Sequence, residues 1–305
     1  MWPSRENRRQ ALMQAMRQHS NHVRPLPGIG DPNACEVLAT QFVASERRED
    51  YYKRLRSRAI SADRADPNHP SFDAERAVVY HIQIGNVEEA AWLIFLMTHF
   101  AKPADSGWLR LRQVYGELGS GVWSWARVSA APNRFLTWIE ANWENIGGKF
   151  GNHRKYESLD PEANRSFRRV LTDYLAWIGP AGHLSFFGNA VRIAGNAPGT
   201  IFDYLYRDMA VISFGRLAKF DYLSLLARYE IVPMHPSSAY FSGATGPVRG
   251  ARLLFDGNPE SPTSSARLQS YVDALDIDIQ VGMQVMEDAL CNWQKSPTHF
   301  VHFLG

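Results

Sequence analysis

One carboxylate, Asp221, has the sequence setting that best fits catalysis. It lies in the stretch from Gly199 to Tyr229, where apolar residues at three- and four-residue steps predict an amphipathic helix that ends near Gly215 and a second helix directly after it. Asp221 falls where the N-cap of the second helix is expected, so backbone N–H groups would keep its carboxylate ionised and oriented. From this segment alone, the alternative that Asp221 only caps the helix stays open.

Two glycine-punctuated loops carry further polar candidates. The first, from Gly147 to Leu159, combines cations, amide donors and an aromatic ring: Lys149, Asn152, His153, Arg154, Lys155 and Tyr156. These side chains suit contacts with phosphates or bases, although a solvated turn accounts for the same charges equally well. The second loop, from Ser242 to Gly257, adds Arg249 and Arg252 to glycines that let the backbone approach a neighbour closely.

Several kinds of site lack their sequence patterns. No Gly-Lys-Ser/Thr follows the glycine spacing of a Walker A loop, and no Gly-x-Gly-x-x-Gly follows a predicted strand. The two cysteines, Cys35 and Cys291, lie far apart, and no His-Glu-x-x-His occurs. We therefore expect no metal site, no cofactor and a reducing, cytoplasmic setting. The longest apolar run, Ala90 to Met97, is too short to cross a bilayer, so we expect no membrane contact.

The elements that must position these side chains are predicted to be almost all helical. The chain has 305 residues, is 45% hydrophobic and shows strand-like alternation only in short runs. We predict an all-α fold that includes helices at Ala74 to Gln83 and Val87 to Phe100. The second of these is started by Asn86, with Glu89 completing a capping box. Five tryptophans between residues 107 and 146 fit a core better than a stacking surface.

Basic residues cluster near the N-terminus, although the net charge of +2 is too small to indicate nucleic-acid binding by itself. Residues 1–24 read as a basic arm whose charges are solvated. A long helix follows from Ala34, and its outer face carries six cations within twelve residues: Arg47, Arg48, Lys53, Arg54, Arg56 and Arg58. Such a face is either solvated or suited to a phosphate backbone, and the pattern favours neither.

Several unusual motifs occur in one order along the chain: LPGI followed by a helix ending in SERREDYY, then FGNHRKYESL, FGRLAKFDYL, GATGPVRGARLLF and EDALCNWQKSP. Together they resemble the α-glutamyl/putrescinyl thymine pyrophosphorylase family, and most of all its clade 3, over Pro25 to Gly305. That family is in turn similar to the helix-hairpin-helix DNA glycosylases. Leu38 to Leu55 resembles their first core helix, with Gln41 where they often carry a glutamine that enters the duplex.

The segment from Pro198 to Asp221 resembles the hairpin and catalytic aspartate of those glycosylases, with two departures. Ile201 replaces the second hairpin glycine, which puts phosphate binding by the hairpin in doubt. Asp203 stands where lyase-type relatives carry a Schiff-base lysine. The resemblance therefore implies a monofunctional glycosylase, and Lys219 is the nearby amine that would overturn this reading.

The resemblance implies a two-lobed helix-hairpin-helix glycosylase fold. After an arm at 1–24, we expect one lobe over about 34–220 and another over 25–33 plus 221–305. The implied function is that of a monomeric enzyme that flips a hypermodified pyrimidine out of double-stranded DNA, such as phage DNA, and leaves an abasic site. Its biological role stays open between phage defence, base hypermodification and repair. The alternatives are a transferase that displaces pyrophosphate from an activated 5-hydroxymethylpyrimidine and a reader of modified DNA without chemistry. In the transferase, Arg154, Lys155, Arg249 and Arg252 would neutralise the leaving group.

With this reading each candidate has a role. Asp221 is the expected catalytic residue. The expected DNA contacts are Gln41, Arg47, Arg48, Lys149, Asn152, His153, Arg154, Lys155, Gly199, Arg216 and Lys219. The expected base pocket comprises Tyr156, Tyr222, Arg249 and Trp293.

Overall fold

The computed structural model describes residues 2–302 and is built from α-helices. They are labelled α1 to α14 in chain order: Glu6–His22, Pro32–Arg56, Ala74–Gln83, Val87–Phe100, Leu109–Tyr115, Trp125–Ala130, Pro132–Asn142, Phe167–Ile178, Gly182–Ala194, Pro198–Asp208, Arg216–Arg228, Gly246–Asp256, Ser265–Ile279 and Met283–Trp293. Between residues 2 and 302 the only strand-like pairing is an isolated bridge of Ser158 with Ser166. The prediction of an all-α fold is confirmed. The last three residues of the predicted second lobe, 303–305, lie outside the described part.

Side-chain caps fix the start of two helices that the sequence predicted with the correct limits. Asp73 accepts a hydrogen bond from the backbone N–H of Arg76 at the start of α3, and Asn86 accepts one from Glu89 at the start of α4. The second half of the predicted capping box is wrong. The Glu89 carboxylate is buried and accepts hydrogen bonds from the Tyr115 hydroxyl (2.6 Å) and the Trp125 backbone N–H (2.7 Å).

The chain divides into two compact units that differ from the predicted lobes. The first unit runs up to Tyr51 and resumes at Pro236, and the second comprises Tyr52–His235. Both boundaries fall elsewhere than expected, because the N-terminal helix and the first four-fifths of α2 fold with the three C-terminal helices. The segment after Asp221 stays with the second unit as far as His235.

In the first unit, α1 is a packed helix and not a solvated arm. Leu12 and Met16 are fully buried on its inner face, and α1 contacts α13. Its arginines form ion pairs with carboxylates of α2: Arg8 with Glu46, and Arg9 with Glu36 at 3.0 Å. The expectation of solvated charges fails because their partners lie in another helix, distant in the sequence.

Glycines of the first unit allow close helix packing, as expected for the loop that begins at Ser242. A Cβ on Gly250 would overlap the backbone of Leu290, so this glycine lets α12 pack closely on α14. A Cβ on Gly28, in the LPGI segment, would overlap the backbone of Leu253, which also belongs to α12. Both motifs therefore serve the core of this unit.

The second unit is organised around α4, in which every side chain from Ala90 to Phe100 is buried. Two of the five tryptophans, Trp123 and Trp125, are buried against it, and the indole N–H of Trp92 donates to the carbonyl of Trp123 at 2.9 Å. The preference for a core over a stacking surface is confirmed for these two residues. Because α4 is enclosed, segments that pack on its C-terminal end are held rigidly.

The start of α11 differs from the prediction. The preceding helix ends at Asp208, and α11 begins at Arg216 with Gly215 as its N-cap, without a side-chain cap. Asp221 is therefore the sixth residue of α11, and the expectation that it forms the N-cap is wrong. The first helical turn ends before it, so the backbone N–H of Asp221 belongs to the helix ladder. Other groups must orient its carboxylate.

Candidate active site

A buried guanidinium, that of Arg154, has several polar partners within the second unit. It is 6% exposed and lies in a single 3-10 turn, Asn152–Arg154. Its Nε donates to the carbonyl of His99 (3.3 Å), its Nη1 to the carbonyl of Ser213 (2.7 Å) and its Nη2 to Nδ1 of His99 (3.2 Å). Burial lowers the pKa of Arg154. The negative charges of Glu157 and Asp221 act in the opposite direction and raise it. Arg154, His99, Glu157, Ser213 and Asp221 are called the Arg154 cluster.

Backbone contacts hold the Arg154 loop on the end of α4. The N–H of Gly151 donates to the carbonyl of Phe100 at 2.8 Å, and the N–H of Arg154 donates to the carbonyl of Gly151 at 2.8 Å. A Cβ on Gly151 would lie 2.5 Å from that of Ala101, so only glycine allows this approach. The guanidinium thus comes from a loop but has the rigidity of the helix beneath it.

Ser213 connects the loop to α11. Its φ of 63° lies in the left-handed region, which is uncommon for a residue with a side chain. The hydrogen bond from Arg154 to its carbonyl fixes this turn three residues before α11 begins. Strained backbone of this kind persists where surrounding contacts enforce it, and such positions are concentrated at functional sites.

Glu157 is the buried counter-charge of Arg154. Its side chain is 3% exposed, and Oε2 lies 3.6 Å from Nη2 of Arg154. Burial raises the pKa of Glu157, although Arg154, a hydrogen bond with Ser213 and the charge of Arg165 act in the opposite direction. The pKa of His99 is held well below its usual value, first by burial and then by the charge of Arg154, so its ring is neutral.

Asp221 completes the cluster as its half-exposed carboxylate. It lies near enough to Arg154 for the two charges to attract, and its side chain is not enclosed as Glu157 is. The N–H groups of Arg154 point to His99, Ser213 and Glu157. Arg154 therefore places a buried positive charge near Asp221, and Asp221 is the less buried of the two carboxylates in the cluster.

A buried hydrogen-bond chain fixes the residue after Asp221. Nδ1 of His183 lies 2.8 Å from Glu88, Nε2 of His183 lies 2.7 Å from the hydroxyl of Tyr174, and that hydroxyl lies 3.0 Å from the hydroxyl of Tyr222. A carboxylate only accepts, so His183 donates from Nδ1, Tyr174 donates to Nε2, and Tyr222 donates to Tyr174. The chain links α11, α8, α9 and α4 in one direction.

The titration of these groups fits that assignment. Burial lowers the pKa of His183 despite the nearby Glu88. Burial opposes ionisation of Glu88, but hydrogen bonds from the His183 ring and from the N–H groups of Leu184 and His183 outweigh it and lower its pKa. Burial raises the pKa of Tyr174 and Tyr222. Tyr222, Tyr174 and His183 are therefore neutral, and the hydrogen bonds end at the ionised carboxylate of Glu88.

Predicted residues of the second unit separate into buried and exposed groups. Arg154 and Tyr222 are buried, and Tyr222 belongs to the core instead of an open base pocket. Arg216 stacks over Phe220 at 5.0 Å, Lys219 donates to the carbonyl of Tyr206 at 3.3 Å, and Gly199 is the half-buried second residue of α10. The exposed group lies on the loop: Lys149, which pairs with Asp105, and Asn152, His153, Lys155 and Tyr156.

Predicted residues of the first unit are mostly engaged in its own packing. Gln41 is 2% exposed and donates to the carbonyl of Val301 at 3.0 Å, so it is not presented to solvent as expected. Trp293 is fully buried, and its indole donates to the carbonyl of Pro297, so it does not line an open pocket. The three arginines have protein contacts: Arg47 over the ring of Trp2 at 4.0 Å, Arg48 with Asp288, and Arg249 with Glu260.

Sequence reasoning missed three members of the Arg154 cluster: His99, Glu157 and Ser213. His99 was hidden in an apolar helix and Glu157 in a charged loop. One signal was present, since Glu157 follows Arg154 by three residues, a spacing at which side chains in a turn can pair. The left-handed Ser213 has no sequence signal, because glycine or asparagine is the usual residue there.

Comparison with known families identifies one match. The model of the family described as alpha-glutamyl/putrescinyl thymine pyrophosphorylase clade 3 matches residues 33–305. This range covers most of the chain, and the protein belongs to that family. Comparison with curated proteins and with solved structures gave no match.

The part of the chain from residue 2 to residue 302 lacks two further features. None of the helices there has the length and apolarity needed to cross a membrane. Within the same residues, no three His, Cys, Asp or Glu side chains are grouped so that they could hold a metal ion.

Proposed function

We propose that the protein is a monofunctional DNA glycosylase that acts as a monomer on a modified, bulky thymine in double-stranded DNA. The observation that carries this proposal is the setting of Asp221, a half-exposed carboxylate with the buried Arg154 behind it. The fixed positive charge favours ionised Asp221, and an ionised carboxylate is what an oxocarbenium-like sugar requires. The family description supports a thymine derivative as the substrate.

The proposed reaction begins when the nucleotide leaves the base stack, at a cost of a few kcal/mol. The bond between C1′ and N1 of the base breaks, and its electron pair leaves with the base. Asp221 stabilises the positive charge that develops on the sugar and orients a water molecule towards C1′. The water oxygen bonds to C1′, and its proton neutralises the departing base. The products are a free base and an abasic site.

The connection between α9 and α10 supports the relation to helix-hairpin-helix glycosylases. These helices contact one another and are joined by three residues, Gly195 to Ala197, with Gly195 at a φ of 81°. Pro198 starts α10, as proline commonly does at the first helical position. Ile201, in place of the second hairpin glycine, is fully buried under the turn. Its burial is consistent with a packing role at that position.

The second candidate is a transferase that displaces pyrophosphate from an activated 5-hydroxymethyl base, and the family description favours it. The geometry gives it less support. Of the four cations expected to neutralise pyrophosphate, Arg154 is buried and bound to carbonyls, Arg249 pairs with Glu260, and Arg252 donates to the carbonyl of Thr263. Lys155 is the exposed member of this set.

One experiment separates these functions. The protein is incubated with phage DNAs that carry different hypermodified pyrimidines, and the released compounds are analysed by mass spectrometry. A glycosylase releases a free base, and a transferase releases pyrophosphate and leaves a new adduct on the DNA. A reader of modified DNA releases neither. Release of pyrophosphate without free base would overturn the first proposal and support the second.

A further inference from the structure

An exposed aromatic ring, that of Tyr156, lies close to two cations on the surface of the second unit. Tyr156 is 70% exposed, more than any other exposed Phe, Trp or Tyr among residues 2–302. Nζ of Lys155 lies 5.1 Å from the ring centroid, and Cζ of Arg165 lies 5.8 Å from it. Lys155, Tyr156 and Arg165 are called the Tyr156 surface.

This surface rests on a rigid base. Tyr156 lies between two residues of the Arg154 cluster, and the N–H of Glu157 donates to the carbonyl of Arg154 at 2.9 Å. The N–H of Ser158 donates to the carbonyl of Arg165 at 3.0 Å, which holds the two segments of the surface side by side. The backbone that presents the ring is therefore anchored. Binding of a partner to the ring costs the protein little conformational entropy.

The charges suit an anionic partner. The side chain of Arg165 is 56% exposed, and the carboxylate oxygen of Glu157 nearest to it is 3.9 Å away, beyond hydrogen-bond distance. Lys155 is exposed beside it. An exposed aromatic ring with two cations close to it matches the alternation of base and phosphate along a nucleic-acid strand whose bases are unstacked. A paired duplex hides those base faces, so it lacks this match.

We propose that the Tyr156 surface binds a single-stranded stretch of DNA. One unpaired base stacks on the ring of Tyr156, and the flanking phosphates contact Lys155 and Arg165. This inference rests on the proposed function in one respect, since an enzyme that extracts a base from a duplex creates unpaired nucleotides next to the flipped one. Stacking on an aromatic ring tolerates any base, so the surface is not expected to read sequence.

The test measures binding of unmodified, fluorescently labelled oligothymidylate by anisotropy, over a series of salt concentrations. Tyr156→Ala is expected to weaken binding roughly tenfold, the usual scale for losing one base–aromatic stack. Tyr156→Phe keeps the ring and is expected to bind like the wild type. The double variant Lys155→Gln with Arg165→Gln is expected to reduce the slope of log affinity against log salt by about 1.4, since each phosphate contact contributes about 0.7 on a single strand.

A matched control is Arg267→Gln, which removes an exposed cation from the first unit and should leave the slope unchanged. Undiminished binding by Tyr156→Ala, equal losses in the Ala and Phe variants, or no binding of oligothymidylate by the wild type would each overturn the proposal. Because no base is released in this assay, the result is independent of catalysis. If binding depends on Tyr156 but the protein releases no base from modified DNA, the proposal for the Tyr156 surface stands and the glycosylase proposal is wrong.

Discussion

The hydroxyl of Tyr222 lies 3.0 Å from the hydroxyl of Tyr174, and this contact holds the residue that directly follows Asp221. Both rings are fully buried, and the chain continues through His183 to the carboxylate of Glu88. These hydrogen bonds hold α11 at the position next to Asp221, and the charges of Arg154 and Asp221 attract one another. The backbone that carries Asp221 is thus held in place although Asp221 does not cap the helix.

Tyr174→Phe is predicted to destabilise the protein more than Tyr222→Phe. Removing the Tyr222 hydroxyl removes only the terminal hydrogen bond of the series, which lowers the free energy of unfolding by about 1 kcal/mol. Removing the Tyr174 hydroxyl leaves both Nε2 of His183 and the hydroxyl of Tyr222 buried without their partner, and costs roughly 2–3 kcal/mol. Urea unfolding measures both values. Tyr204→Phe, on a half-buried tyrosine of α10, serves as the control, and an inverted order would contradict the position of Tyr174 in the middle of these hydrogen bonds.

Arg154→Met is predicted to cost far more stability than Glu157→Gln. Loss of the guanidinium leaves Glu157 buried without its counter-charge and two carbonyls without their donor, which costs roughly 3–5 kcal/mol. Glu157 already has a raised pKa, so the neutral amide replaces it at a smaller cost. The unfolding free energies in urea test this order. If Arg154→Met is as stable as the wild type and only binds DNA less well, Arg154 is a phosphate contact and its structural role is wrong.

Acid is predicted to destabilise the protein partly through His81. Burial lowers the pKa of this histidine from 6.5 to about 4, and no protein atom of residues 2–302 hydrogen-bonds to its ring nitrogens. Between those pH values the unfolded chain binds a proton that the folded protein does not, so stability is complete above pH 6.5 and falls towards pH 4. His81→Leu should therefore raise the melting temperature more at pH 5 than at pH 7.5. An equal change at both pH values would contradict the assignment.

The abasic strand is predicted to stay unbroken, because Lys219, the amine nearest to Asp221 in the sequence, is already hydrogen-bonded within the protein. Nζ of Lys219 donates to the carbonyl of Tyr206, and burial, which lowers its pKa, is only partial. A lyase needs such an amine at C1′. After reaction, the DNA is run on a denaturing gel with and without alkali, and a parallel sample is treated with borohydride. A covalent adduct that disappears in Lys219→Met would show that Lys219 attacks.

The sequence predicted the helical fold and the limits of α3 and α4 because the signals involved are local. Asp73 and Asn86 cap the helices that follow them, and apolar periodicity marks the rest. The start of α11 lacked such a signal, since Gly215 caps it without a side chain. Asp221 is a favourable N-cap residue close by, so the predicted start of the helix was placed too late in the sequence.

The burial of charged side chains was not predictable from local patterns. Arg154 lies in a loop of cations that reads as solvated, yet its partners come from α4 and from the turn at Ser213, more than fifty residues away in both directions. The arginines of α1 were misjudged for the same reason, because Arg8 finds Glu46 in α2. A sequence gives the charge of a side chain, whereas its burial depends on contacts between distant segments.

The most direct test of the glycosylase proposal is base release by Asp221→Asn. The amide preserves the shape of the side chain and removes the negative charge that would stabilise the sugar cation, so the rate is predicted to fall at least about 100-fold while DNA affinity changes little. Asp105→Asn, which alters an exposed carboxylate of the same unit, should release base at the wild-type rate. The measurement is mass spectrometry of the free modified base over time, with urea unfolding to confirm that both variants are folded. Full activity in a folded Asp221→Asn protein would contradict the central claim.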